Sequence, residues 1–178
     1  MSTGARTKAM KRSNGKGTRP DQQFQADLLL KLEMKSNPET LCLVRATLDR
    51  AAETLNFHSA ERRAIVRSVD EALANVMRHA YEGKAGLPIV VTFRRLYGQN
   101  HPQTSAGIEV LLEDRGVALN PAELQGRALE DIKPGGLGLH FMRQSMDEVE
   151  FKRKHGKNQL RMVKYLAVPK TAPGSEGE

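Results

Sequence analysis

The order of two hydrophobic periodicities along this chain constrains its fold more than any other feature. Apolar residues first alternate with polar ones, as in a half-buried strand, and then recur at helical spacing through two successive segments. The predicted strands cover 28–35, 89–93, 108–112, 148–154 and 159–168, and the predicted helices cover 38–55, 60–80 and 137–146. Because runs of strands joined by short turns favour antiparallel pairing, we predict an α/β (α+β) fold. Its form is a two-layer sandwich, with a mixed, mostly antiparallel sheet and helices on one face.

Local signals predict where several of these elements begin and end. Asn37 followed by Pro38 is typical of a helix N-cap with proline at the first helical position. Ser59 is predicted to cap the second helix. The polar run 97–107 predicts a loop between two strands, and Gly156-Lys157 predicts a hairpin turn.

Length and composition limit the class of protein. A chain of 178 residues suits one domain with one core. No apolar run approaches the roughly 20 residues of a membrane span, and the basic N-terminus lacks the apolar stretch of a secretory signal. The single cysteine, Cys42, excludes an internal disulfide, and its apolar neighbours predict that it packs in the core. We therefore expect a cytoplasmic protein.

The net charge of +7 is concentrated at the N-terminus. Residues 1–20 hold six of the 28 basic residues and no acidic one, which leaves 22 basic against 21 acidic residues in the rest of the chain. A nucleic-acid surface on the folded body is therefore not implied. We predict a disordered basic tail over 1–22, a folded domain over 23–169 and a disordered tail over 170–178.

The second predicted helix carries a polar ridge beside its apolar stripe. Ser68, Glu71, Asn75 and His79 form this ridge, because residues three and four apart are neighbours on a helix. A carboxylate can accept a proton, an amide oxygen suits Mg²⁺, and an imidazole can donate to a phosphate. The ridge thus predicts the rim of a nucleotide cleft, and a solvated polar flank is the alternative. The apolar stripe consists of Ile65, Val69, Ala72, Leu73, Val76 and Ala80.

An acidic turn follows the strand at 108–112. Asp114 at the strand end can accept from the exocyclic amine of adenine, and Gly116 lets the backbone approach a ring closely. An ordinary type I turn closed by aspartate and glycine is the alternative.

A glycine loop precedes the third helix. Amide groups at a helix start, together with the helix dipole, bind anions, and glycines allow several amides to converge on a phosphate. Three glycines in four residues exceed what one turn requires, so we favour a phosphate site over a flexible hinge. The loop and its continuation contain Gly135, Gly136, Leu137, Gly138 and Leu139.

Together, in this order, the ridge, the acidic turn and the glycine loop resemble the N, G1 and G2 boxes of the GHKL ATPases. This superfamily includes gyrase-type ATPases and histidine kinases. Within it, the chain is most similar to the stand-alone anti-sigma-factor serine kinases of bacteria. The resemblance rests on segments 68–81, 113–121, 135–139, 146–149 and 158–164, and spans roughly 24–168.

The resemblance implies a Bergerat sandwich that binds ATP and Mg²⁺, and it implies a role for individual residues. Glu71 corresponds to the catalytic base, Asn75 to the magnesium ligand and Asp114 to the adenine contact. Gly136 and Gly138 correspond to the phosphate-contacting glycines, and 119–135 to the ATP lid. Ala118 replaces the second glycine of the Asp-x-Gly-x-Gly pattern, which many stand-alone kinases of this type also lack.

The resemblance also implies partners. Family members bind a sigma factor, phosphorylate its STAS-domain antagonist on serine, and commonly form homodimers. We therefore expect a protein-serine kinase that acts as an anti-sigma factor. Two alternatives are an ATP-binding switch without kinase activity and, less favoured, a nucleic-acid-associated adaptor that uses the basic tail.

Overall fold

The structure is a computed structural model that describes residues 25–98, 101–118 and 137–167. Its strands are β1 (Gln25–Lys35), β2 (Pro88–Gly98), β3 (His101–Asp114), β4 (Glu148–Lys154) and β5 (Lys157–Tyr165). Its helices are α1 (Leu41–Thr54), α2 (Ser59–Asn75) and α3 (Leu137–Ser145). A 3₁₀ turn, Pro38–Thr40, precedes α1, and a π-helical turn, Val76–Ala80, continues α2.

The five strands form one sheet in the order β1-β2-β3-β5-β4. Each pairing in this sheet is antiparallel, so the described part of the sheet is not mixed. The helices supply the second layer, which confirms the predicted two-layer α/β sandwich. The register aligns Asp114, the last residue of β3, with Ile89 on β2 and Asn158 on β5. This edge of the sheet is where the candidate site lies.

The core fills the space between the sheet and the helices. Leu48 of α1, Leu73 of α2 and Met142 of α3 are almost fully buried against Phe93 and Met162 of the sheet. Burying one such side chain contributes roughly 1.5–3 kcal/mol. The whole predicted stripe of the second helix, from Ile65 to Ala80, lies in this core.

The predicted N-cap residue is confirmed for one helix and is wrong for another. Asn37 caps the turn before α1, since its Oδ1 accepts from Glu39 N at 3.0 Å. For α2, the prediction that Ser59 is the cap is wrong, because His58 holds that position. The His58 N–H donates to Glu61 Oε2 at 3.0 Å. A carboxylate in the first turn thus satisfies the backbone N–H of the N-cap residue, as in one half of a capping box.

The predicted loop over 97–107 is also wrong. Strand β2 continues to Gly98 and β3 begins at His101, with these two residues paired. Backbone hydrogen bonds hold this ribbon together whatever its side chains are, so polar composition did not prevent strand formation. The predicted hairpin is present, but its turn consists of His155 and Gly156, both at positive φ, whereas Lys157 begins β5 and pairs with Lys154.

Two apolar predictions near the N-terminal end of the fold are wrong as well. Cys42 is exposed rather than buried, and its thiol donates to Glu39 O at 3.1 Å. It lies two residues before Val44, which puts it on the opposite side of α1 from the buried stripe. Leu28 is 62% exposed because a β-bulge between Leu28 and Leu30 shifts the alternation of β1.

The predicted tails 1–22 and 170–178 and the predicted lid 119–135 lie outside the described residues, so the domain boundaries stay predictions. Among the helices that the structure does describe, none is long and apolar enough to cross a membrane.

Candidate functional site

Two glycines bring the three predicted segments together. Gly138, in the first turn of α3, packs against Glu71 of α2 so closely that a Cβ there would lie 2.1 Å from Glu71 Oε1. Gly116, just after β3, packs against the end of the same helix, and a Cβ there would lie 2.3 Å from Ala80 O. The helix bearing the polar ridge therefore contacts both the acidic turn and the start of α3.

A hydrogen bond fixes the acidic turn to the helix end. Val117 N donates to Ala80 O at 2.8 Å, across the point where Gly116 touches Ala80. The atoms opposite Gly116 are the carbonyl group and the Cβ of Ala80, which no rotamer change can move, so a side chain at this position could not be accommodated. Glycine is thus required here for close approach between two chain segments.

The polar ridge is only partly as predicted. The Glu71 side chain is 30% exposed and Asn75 is half-buried, whereas His79 is exposed. Ser68 is completely buried and its hydroxyl donates to Ala64 O at 2.9 Å, so the prediction that it lies on the rim is wrong. A hydroxyl that bonds the preceding helical turn can be buried among apolar neighbours without a solvent contact.

Glu71 has a cationic neighbour on its own helix. Arg78 Nη2 lies 3.4 Å from Glu71 Oε1, while Arg78 Nε donates to Ala74 O at 3.3 Å. The arginine side chain therefore folds back along the helix towards Glu71. It is 57% exposed, so water screens this ion pair.

The carboxylate of Asp114 is buried and hydrogen-bonded. Its residue is only 4% exposed, and its Oδ1 accepts from Gly116 N and from Asn158 Nδ2, both at 2.8 Å. Burial raises the pKa of Asp114, and the two hydrogen bonds oppose that rise. The site thus holds a well-oriented acceptor in a dry environment.

A comparison with known protein families identifies the family of this fold. Residues 34–164 match the family described as the histidine kinase-like ATPase domain. The chain belongs to this family. The match covers Glu71, Asn75, Asp114 and Gly138.

Characterised relatives of this ATPase-domain chain carry kinase names. It is 27% identical over 146 residues to the serine-protein kinase RsbW of Bacillus pumilus, covering 78% of this chain and 86% of the relative. It is 30% identical over 126 residues to the serine/threonine-protein kinase BtrW of Bordetella bronchiseptica, covering 68% and 79%. The RsbW of Bacillus subtilis is 24% identical over 145 residues, covering 77% and 85%.

Sequence reasoning gave no role to two residues that hold the acidic turn of this ATPase domain. Asn158 Nδ2 donates to Val117 O at 3.0 Å as well as to Asp114, and Arg153 donates to Asn158 Oδ1. Arg153 Nη1 also donates to Gly116 O at 3.1 Å. The signal for this cluster is strand register, since β5 pairs with both β3 and β4 at Asn158.

Tyr81 is a third residue that sequence reasoning left without a role. Its hydroxyl accepts from Arg115 N at 3.1 Å and donates to Pro88 O, which ties the end of the π-helical turn to β2 and the acidic turn. Burial raises the pKa of Tyr81, so the hydroxyl stays a donor at neutral pH.

The start of α3 is described only from Leu137 onward. Gly138 and Leu139 are half-buried in its first turn, whereas Gly135 and Gly136 lie outside the described residues. Phosphate binding by these glycines therefore stays a prediction, as does the lid.

The donor set fits a magnesium nucleotide. In the described part of the chain, no cluster of three or more His, Cys, Asp or Glu side chains is arranged to hold a metal ion. Mg²⁺ commonly binds few protein oxygens and completes its shell with phosphates and water. Asn75, half-buried one turn from Glu71, offers one such oxygen, and Asp114 offers an acceptor for a base amine.

Proposed function

We propose that this protein is an ATP-dependent protein-serine kinase that serves as an anti-sigma regulatory factor in partner switching. The packing of Glu71 directly against Gly138 carries the proposal, because it puts a carboxylate at the N-terminus of a helix. Similarity to relatives named serine-protein kinases supports the kinase class and the preference for serine.

The nucleotide lies between Asp114 and the start of α3. Asp114 accepts from the adenine amine, while Asn75 Oδ1 holds Mg²⁺ and His79 donates to a phosphate oxygen. Amides of the first turn of α3, around Gly138, stabilise negative charge on the phosphates. Bound Mg-ATP supplies the transferable phosphoryl group.

Glu71 orients and deprotonates the acceptor hydroxyl of the protein substrate. Its side chain remains 30% exposed, so a serine from a second protein can reach it. The substrate class is a STAS-domain antagonist, and the protein that is sequestered is a sigma factor. Positioning and electrostatics account for most of the rate enhancement in such transfers.

A glutamine at position 71 tests the catalytic role. Glu71→Gln keeps the shape of the side chain beside Gly138 but removes the base. We expect Mg-ATP affinity within about threefold of wild type and a loss of phosphoserine formation of at least about 100-fold. The measurements are isothermal titration calorimetry and radiolabelled transfer to antagonists captured from the source organism.

The matched control is Glu82→Gln, which changes an exposed carboxylate that pairs only with Lys84 among the described residues. It should leave both binding and transfer unchanged. Undiminished transfer by Glu71→Gln would reject the proposed role of Glu71, and failure of the wild-type protein to bind Mg-ATP would reject the proposed function.

A switch that binds ATP without transferring phosphate is the second candidate. The contact between Arg78 and Glu71 favours it, because it directs Glu71 Oε1 towards a side chain of the same helix rather than towards an acceptor hydroxyl. Both candidates predict ATP-dependent capture of a partner in a pull-down, but only the kinase leaves phosphoserine on that partner.

A further inference from the structure

Two contacts between helices α2 and α3 lie close to Glu71. The first is the contact between Glu71 and Gly138 described above. At the second, the guanidinium carbon of Arg67 lies 4.3 Å from the centroid of the Phe141 ring. A cation over the face of an aromatic ring is attracted by the negative charge of the ring face.

The two contacts lie one helical turn apart. Arg67 precedes Glu71 by four residues on α2, and Phe141 follows Gly138 by three residues on α3, so each pair of positions shares a helix face. The contact at Gly138 brings the helices close together but offers no side chain on α3 to hold them. The contact at Phe141 supplies that side chain.

No other contact described here explains the positions of the Arg67 and Phe141 side chains. Phe141 belongs neither to the buried core nor to the apolar side chains packed against it. Arg67 makes no ion pair within the residues that the structure describes. The carboxylates three and four residues ahead of it are taken, Asp70 by Arg45 at 2.6 Å and Glu71 by Arg78.

We infer that Arg67 and Phe141 form a positioning pair that sets the first turn of α3 against Glu71 and thereby tunes the affinity of the site for nucleotide phosphates. The inference rests on the proposed nucleotide binding. Met142 anchors α3 in the core and fixes its general placement. The Arg67–Phe141 contact fixes the sideways position of the amides that bind the phosphates.

The test compares nucleotide affinities of four variants by isothermal titration calorimetry with ATP, ADP and adenosine in the presence of Mg²⁺. For Arg67→Ala and Phe141→Leu, we expect affinity for ATP and ADP to fall about threefold to tenfold. Affinity for adenosine, which has no phosphate, should change by less than about twofold. Arg67→Lys, which keeps the cation, should restore most of the loss, and the double variant should be no weaker than either single one.

Arg63→Ala is the matched control. Arg63 is an exposed arginine one turn earlier on α2 and makes no ion pair or ring contact within the described residues. If its removal weakens ATP binding as much as Arg67→Ala does, long-range attraction of charge explains the effect and the inference is overturned. The inference would also be overturned if Arg67→Ala or Phe141→Leu weakened the binding of adenosine as much as that of ATP, or if Phe141→Leu left the affinity for ATP unchanged.

A second measurement needs no nucleotide. Amide hydrogen exchange at residues 138–141 should be faster in Arg67→Ala and Phe141→Leu than in wild type, and unchanged in Arg63→Ala. If the wild-type protein binds no nucleotide, the proposed function fails. Unchanged exchange at these amides overturns the positioning pair independently of that result.

Discussion

The two ends of the candidate site are built differently. At the acidic turn, Asp114 and Asn158 are buried and hydrogen-bonded into a network that joins β3, β4 and β5. At the other end, Glu71 and Arg78 are partly exposed, and α3 meets α2 through a glycine contact and a cation–π contact. Under the proposed function, the acidic turn is therefore a preformed base-binding end and the start of α3 is a more adjustable phosphate-binding end.

The largest expected effect tests how tightly the preformed end is packed. Gly116→Val should lower the free energy of unfolding by about 3 kcal/mol or more, because its Cβ would collide with the backbone of Ala80. Urea titration followed by circular dichroism measures the change. The control is Gly98→Ala, where a Cβ meets nothing within 4 Å. A similar loss of stability in this variant would mean that the contact between Gly116 and Ala80 does not explain the effect of Gly116→Val.

Removing the amide that supports Asp114 should have the next largest effect. Asn158→Ala removes a donor to the buried Asp114 Oδ1 and a donor to the part-buried Val117 O. We expect the free energy of unfolding to fall by about 2 kcal/mol, since the buried Asp114 Oδ1 loses one of its two donors and Arg153 loses its acceptor on Asn158. Gln159→Ala changes the next, less buried residue and should cost less than about 1 kcal/mol; an equal cost would place the support for Asp114 elsewhere.

The protonation of Asp114 gives a smaller, pH-dependent effect. Burial raises its pKa above the ordinary 3.8, so the folded protein binds this proton more tightly than the unfolded chain does. Its contribution to stability is therefore greatest in acid and is lost as the pH rises through the folded-state pKa.

Asp114→Asn removes that titration. The wild type should gain stability relative to this variant as the pH falls from 7 towards 4, measured as the difference between their free energies of unfolding. A difference that is flat with pH, or that moves the other way, would mean that the hydrogen bonds outweigh burial at this carboxylate.

The smallest effect belongs to the adjustable end. Arg78→Ala should change the free energy of unfolding by less than about 0.5 kcal/mol, because the Arg78–Glu71 pair is partly exposed and long. Thermal unfolding measures it. A loss near that of Asn158→Ala would show that the two ends are equally rigid and would remove the contrast between them.

Sequence periodicity was sufficient for the layers of the fold and for part of the site. The apolar stripe from Ile65 to Ala80 correctly predicted which face of α2 packs in the core. That face in turn predicted the side of the helix on which Glu71 lies. Periodicity failed where a local event changed the phase or where backbone bonding overrode composition, as at the bulge after Leu28 and in the ribbon around Gly98.

Contacts between elements distant in the chain could not be predicted from local pattern. Asn158 meets Asp114 only because of the strand register, and Arg67 meets Phe141 only because two helices pack together. Ser68 has the polarity of a rim residue, but its hydroxyl bonds to Ala64 O and needs no solvent. Polar residues therefore indicated where the site lies better than they indicated which residues belong to it.

The π-helical turn at Val76–Ala80 has a consequence for how variants of this chain must be aligned and engineered. Tyr81 N donates to Val76 O, five residues back, so this turn contains one residue more than a regular helical turn. A deletion that regularised the helix would rotate Ala80 away from Val117 and break the hydrogen bond between Val117 N and Ala80 O. Along this stretch, the number of residues between Glu71 and Tyr81 must stay constant, even though an ideal helix would be geometrically simpler.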